Sequence, residues 1–131
     1  MNGKELFEKF DREGKFIVPG REILFDKVPW AKHSSFDGVE LKHIVTGDMS
    51  EGKFSFHLVK IAPGKKIGSH IHEEQTETHE VIAGSGVCVN DSARIDYEVG
   101  VISVFPAGTV HEVIAGENGL YLFAKFFPPL C

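Results

Sequence analysis

The amino-acid sequence predicts an all-β domain preceded by one short helix. Apolar runs of a few residues recur along the chain: FIV, EILF, VELKHIV, KFSFHLVKI, HEVIA, GVCV, VISVF, VHEVIA and LYLFAKFF. Between them stand PG, DG, GDMSEG, APG, GSG, NDS, PAG and GENG, which hold the residue types that tight turns require. That rhythm belongs to an antiparallel sandwich or barrel. A length of 131 residues suits one domain large enough to bury a core around a pocket.

Taken in order, the first element is the helix. Asn2 is placed to cap it, Glu5 stands at the capping-box position, and Leu6, Phe7 and Phe10 share a face until Gly14 ends the pattern. Residues 1–30 add two short strands, expected to close one end of the barrel or to cross to a neighbouring subunit in a homodimer. Residues 31–131 supply the barrel. Pro128 and Pro129 cannot continue a paired strand and mark where the last one stops.

Composition narrows the function. Eleven Phe against two Tyr and one Trp provide ample interior material. Nineteen acids against fourteen bases give a formal charge of -5, with no cluster of Lys and Arg, so phosphate backbones and anionic membranes are excluded as expected partners. The charged start MNGKELFEKFDREGK lacks an apolar leader and no run is long enough to span a bilayer, so a soluble, cytoplasmic protein is expected. Cys88 and Cys131 form no disulfide framework and are expected as free thiols.

The stretch GKKIGSHIHEEQTETHEVIAG, Gly64 to Gly84, carries the chemistry. In an extended segment His70 and His72 project from one face with Cα atoms about 6.6 Å apart, so both imidazoles can lean toward one ion. Glu77 opens the next strand-like run and can return its carboxylate beside them, although Glu73, Glu74 and Glu80 lie close by. Downstream, in GVISVFPAGTVHEV, the turn at Pro106–Gly108 is followed by His111. Three imidazoles and one carboxylate suit a hard or borderline divalent ion and leave positions on it open.

At these residues the chain resembles the cupin superfamily. The first cupin motif, a glycine, five residues, H-x-H, three or four residues, a glutamate, six residues and a glycine, is met by Gly64, His70, His72, Glu77 and Gly84. The second is met by Gly100, Pro106, Gly108 and His111, except that Ala115 stands where an asparagine is usual and Asn118 comes three residues later. The resemblance implies a double-stranded β-helix, or jelly-roll barrel, with His70, His72, Glu77 and His111 binding a divalent transition metal inside it, Fe or Mn first, with Ni, Zn or Cu as alternatives. It further implies an Fe(II) or Mn(II) oxygenase acting on a small organic molecule. A non-catalytic binding module, an isomerase, a decarboxylase and a lyase stand as alternatives.

His79 shares the strand face of Glu77 and reads as a partner behind the ligands, a proton shuttle, a substrate contact or a polar residue at the barrel mouth. His57 alternates against Phe54, Phe56 and Leu58, and either set can face the interior. Phe54, Phe56, Phe105, Tyr121 and Phe123 are the expected walls of an apolar pocket, and the Tyr121 hydroxyl is its polar handle and, with His79, a catalytic candidate. Such a pocket would take a small anion or oxygenated metabolite, with Lys60 and Arg94 either assisting or solvated.

Overall fold

The computed structural model describes all 131 residues. Helix α1 (Gly3–Glu13) is followed by the hairpin β1 (Lys15–Val18) and β2 (Arg21–Leu24), then by β3 (Ala31–Lys32), β4 (Val39–Val45), β5 (Ser55–Ile61), β6 (Lys66–His70), β7 (Thr76–Asn90), β8 (Ala93–Tyr97), β9 (Ile102–Phe105) and β10 (His111–Phe127). All strand pairings are antiparallel. The last strand ends just before Pro128, where the missing N–H requires it to.

Two long strands build the barrel. The first half of β7 pairs with β9 and with the second half of β10, which also pairs with β5, and β4 and β3 continue outward. The second half of β7 pairs with β8 and with the first half of β10, which pairs with β6. β7 and β10 therefore belong to two facing sheets at once. HEVIA and GVCV, expected as separate runs, are one strand, as are VHEVIA and LYLFAKFF.

The bends sit where the sequence places glycine. Gly84, expected at a strand end, lies inside β7 at φ +77°, and a Cβ there would stand 2.0 Å from the Gly119 carbonyl oxygen. In β10 the register shifts between Ala115 and Leu120, across GENG. Turn-forming residues here curve the strands and do not break them.

The inner faces of the sheets close on Val39, Val59, Ile61, Val81, Val113, Leu120, Leu122 and Phe126, among others. A second apolar layer lies outside the first sheet. There Phe7 and Phe25 pack on Ile44, Val45 and Leu58, with Phe54, Phe56, Tyr121 and Phe123 alongside. Asn2 caps α1 by accepting from the Glu5 N–H at 2.9 Å. The buried Lys42 ammonium donates to the Phe25 carbonyl at 2.7 Å and pairs with Asp11, whose other oxygen accepts from the Trp30 indole at 3.1 Å. Helix α1, Phe25 and Trp30 thus pack against the first sheet of the same chain. No helix is long and apolar enough to cross a membrane.

Phe7 is 1% exposed and carries most of the helix's burial. Phe7→Ala is expected to cost about 3–5 kcal/mol in denaturant unfolding. His57, fully buried on β5, is held down to about 4 from 6.5, by burial first and then by His43. Between those values the unfolded chain binds a proton that the fold does not, so stability present above pH 6.5 is lost as pH falls toward 4, by about 3 kcal/mol. Denaturant unfolding across that window should show a shallower decline in His57→Phe than in the wild type.

Candidate metal centre

His70, His72, Glu77 and His111 converge, with one ligand atom from each lying within 4.8 Å of the others. The strand pairing explains this. His70 ends β6 and His111 opens β10, and the two are register partners in the second sheet. Their ring centroids are 4.2 Å apart. Glu77, on the inner face of β7 in the first sheet, reaches across the barrel to meet them. His72 lies beyond the end of β6, and its carbonyl accepts from the Gly108 N–H at 2.9 Å. That bond ties the loop bearing His72 to the turn bearing His111, where Gly108 at φ +84° permits the reversal.

Backbone contacts orient the imidazoles. His70 Nδ1 is 2.8 Å from the Gly68 carbonyl oxygen and His111 Nδ1 is 3.1 Å from that of Thr109. A protonated Nδ1 at each leaves the Nε2 lone pair facing inward, the form a metal requires. Phe105 stacks on the His111 ring at 4.2 Å and 16°, and Phe126 stands edge-on to His72 at 5.0 Å.

The donor set fits a divalent cation. Glu77 Oε1 and His111 Nε2 lie 2.8 Å apart, yet both are buried without a hydrogen-bond partner. Two facing acceptors inside a barrel call for a positive centre between them. Burial pushes the Glu77 carboxyl up, but the nearby His79 and His111 imidazoles and the His79 hydrogen bond outweigh it and hold it well below the carboxylate range. Burial lowers His70 and His72, favouring their neutral, ligating form. The His111 side chain is 1% exposed and that of His72 23%, so the cluster opens to solvent on the His72 side.

His79 stands behind the cluster. Its Nε2 is 2.7 Å from Glu77 Oε2 and its Nδ1 2.9 Å from the Tyr97 hydroxyl, which lies 2.5 Å from Ser103 Oγ. The structure places His79 within hydrogen-bond distance of Glu77, on the side away from His111. Tyr97 and Ser103 were not singled out by sequence reasoning. Ser103 is the register partner of His79 on β9, and only strand pairing reveals it.

Several expected pocket residues lie elsewhere. Tyr121 points to the outer layer, edge-on to Phe7 at 5.1 Å, because Leu120 and Leu122 take the inward positions beside it. Phe54, Phe56 and Phe123 share that layer, so of the expected walls only Phe105 meets the cluster. Lys60 lies over the Trp30 ring at 3.9 Å. Glu80 faces outward to pair with Lys125.

His72→Ala should sharply reduce bound metal, as measured by elemental analysis, while the far-UV circular dichroism stays β-like. His79→Ala should weaken metal affinity about 10–100-fold, because it releases Glu77 without removing a ligand.

Residues 57–122 match the family model described as the cupin domain. An oxalate-binding protein from Thermotoga maritima is 25% identical over 76 residues, which span 57% of this chain and 63% of that protein, less than two thirds of its length. The crystal structure of a predicted oxalate decarboxylase from Thermotoga maritima is similar with a TM-score of 0.72 at 22% identity, over 79% of this chain and 95% of that one. That of KdgF from a Halomonas species has a TM-score of 0.70 at 20% identity, over 79% and 90%. The structural likeness bears on the fold, while the family model takes in half of the chain and all four residues of the cluster; this chain belongs to the cupin domain family.

Proposed function

We propose that the protein binds a small chelating organic acid at a divalent ion held by His70, His72, Glu77 and His111, and acts on it as an Fe(II)- or Mn(II)-dependent enzyme of the oxygenase type. The observation that carries this reading is the convergence of three imidazoles and one carboxylate on a single point that opens beside His72. Four donors leave two of six positions on an octahedral ion, the number a chelating carboxylate occupies. A divalent charge less one carboxylate leaves the centre net positive, which favours an anionic ligand. When bound, such an ion supplies Lewis acidity and redox chemistry toward O2.

The chain's own residues bind and orient. Glu77 provides the anionic oxygen, His79 holds its second oxygen in place, and the Phe105 ring covers the His111 face. The names of two relatives, an oxalate-binding protein and a predicted oxalate decarboxylase, support a small dicarboxylate as the ligand class.

One observation favours binding without turnover as the second reading. Both nitrogens of His79 are engaged, by Glu77 and by Tyr97, which leaves no free imidazole beside the cluster to move a substrate proton. Calorimetric titration of Mn(II)-loaded protein with oxalate, paired with O2 uptake and product analysis, separates the two. Metal-dependent binding that weakens at least tenfold in His72→Ala, with ligand-dependent O2 loss, is the outcome expected for the enzyme. Binding with no O2 loss and no product would favour the module, and metal-independent binding or none would overturn both.

A further inference from the structure

A second group of ligating side chains lies where the chain's tail crosses the end of the barrel. His43 on β4 and His57 on β5 are register partners. Their rings meet edge-on at 4.9 Å and their Nδ1 atoms are 2.8 Å apart. Beyond β10 the tail turns back over them. The Leu130 N–H donates to Ser55 Oγ at 2.8 Å, and the Gly47 N–H donates to the Cys131 carbonyl at 2.7 Å. These bonds bring Cys131 to the histidines, so that one ligand atom from each of His43, His57 and Cys131 lies within 4.8 Å of the others.

We propose that His43, His57 and Cys131 form a second transition-metal site, a bis-imidazole thiolate centre for a borderline ion of the zinc or copper kind. Two imidazoles and one thiolate are the donors such ions prefer, whereas the His70 cluster replaces sulfur with a carboxylate oxygen. The two sites therefore differ in the ions they favour.

The local bonding supports a built site. His57 Nε2 is engaged by Ser55 Oγ at 2.7 Å, which leaves Nδ1 to face His43. The same Ser55 hydroxyl accepts from Leu130, so one group both fixes the His57 ring and anchors the segment that carries Cys131. At 2.8 Å the two Nδ1 atoms satisfy each other only by sharing one proton. A tetrahedral ion with nitrogens at about 2.0–2.1 Å sets them about 3.3 Å apart. The rings need separate by only about half an ångström for an ion to replace that proton, and Cys131, being exposed, can adjust to it. Three protein ligands leave a fourth position for water or a further ligand.

The test uses Co(II), added to the full chain as purified, because only a sulfur ligand gives thiolate-to-cobalt charge-transfer absorption. The His70 cluster contains no sulfur, and Cys88 is buried in the barrel core and belongs to neither group. The expected result is a saturable charge-transfer band in the wild type that persists in His72→Ala and Cys88→Ala. It should vanish in Cys131→Ser and require at least tenfold more Co(II) in His43→Ala. Absence of the band at saturating Co(II), or a band that survives Cys131→Ser, would overturn the proposal. So would an unchanged titration in His43→Ala, which would mean that the thiolate binds cobalt without the imidazoles.

Discussion

The architecture depends on two strands that belong to two sheets at once. A flat fifteen-residue strand such as β7 would leave its two halves in one plane and the ligands on one surface. Gly84 and the GENG segment bend β7 and β10 at facing positions, and the contact of Gly84 with the Gly119 carbonyl leaves no space for a side chain at that crossing. With both strands bent, the halves fold over each other and close an interior. Glu77 then projects from one wall while His70 and His111 project from the other, and the gap between sheets becomes the reach of a glutamate meeting two imidazoles.

That arrangement places a carboxylate where a negative charge is costly. His79 on one oxygen offsets part of the cost, and a cation between the other oxygen and the imidazoles would offset the rest, so the electrostatics of the barrel are organised around Glu77. The neighbouring groups divide into those that hold a donor and those that exclude water. The Gly68 and Thr109 carbonyls and His79 do the former, and Phe105, stacked on His111, the latter.

The four clustered residues were legible because the two cupin motifs fix their spacing within each segment, and local spacing survives folding; the residues alone left Glu73, Glu74 and Glu80 beside Glu77 as alternatives. The helix cap at Asn2, the stop at Pro128 and the all-β rhythm were legible for the same reason. Side-chain phase within long strands was not. Tyr121 follows the apolar alternation of LYLF, but nothing local says which half of that alternation faces inward, and the register shift next to it obscures the count from His111. The continuity of β7 and β10 was hidden because glycine serves both as a turn former and as a bend within a strand. Tyr97, Ser103 and the approach of Cys131 to His43 depend on pairings between segments distant in sequence, which no single window contains.

The docking of α1 on the outer face of the first sheet has a consequence for the interior. Because side chains alternate along a strand, sliding β7 by one residue would carry Thr78 and Glu80 inside and expel Glu77 and His79. Phe7 packs in the same outer layer as Ile82 of β7, which would have to turn inward in such a slip. The N-terminal helix is thereby a phase lock for the centre: it holds the parity of the strand and so keeps the Glu77 carboxylate, and not a threonine hydroxyl, facing the other three residues of the cluster.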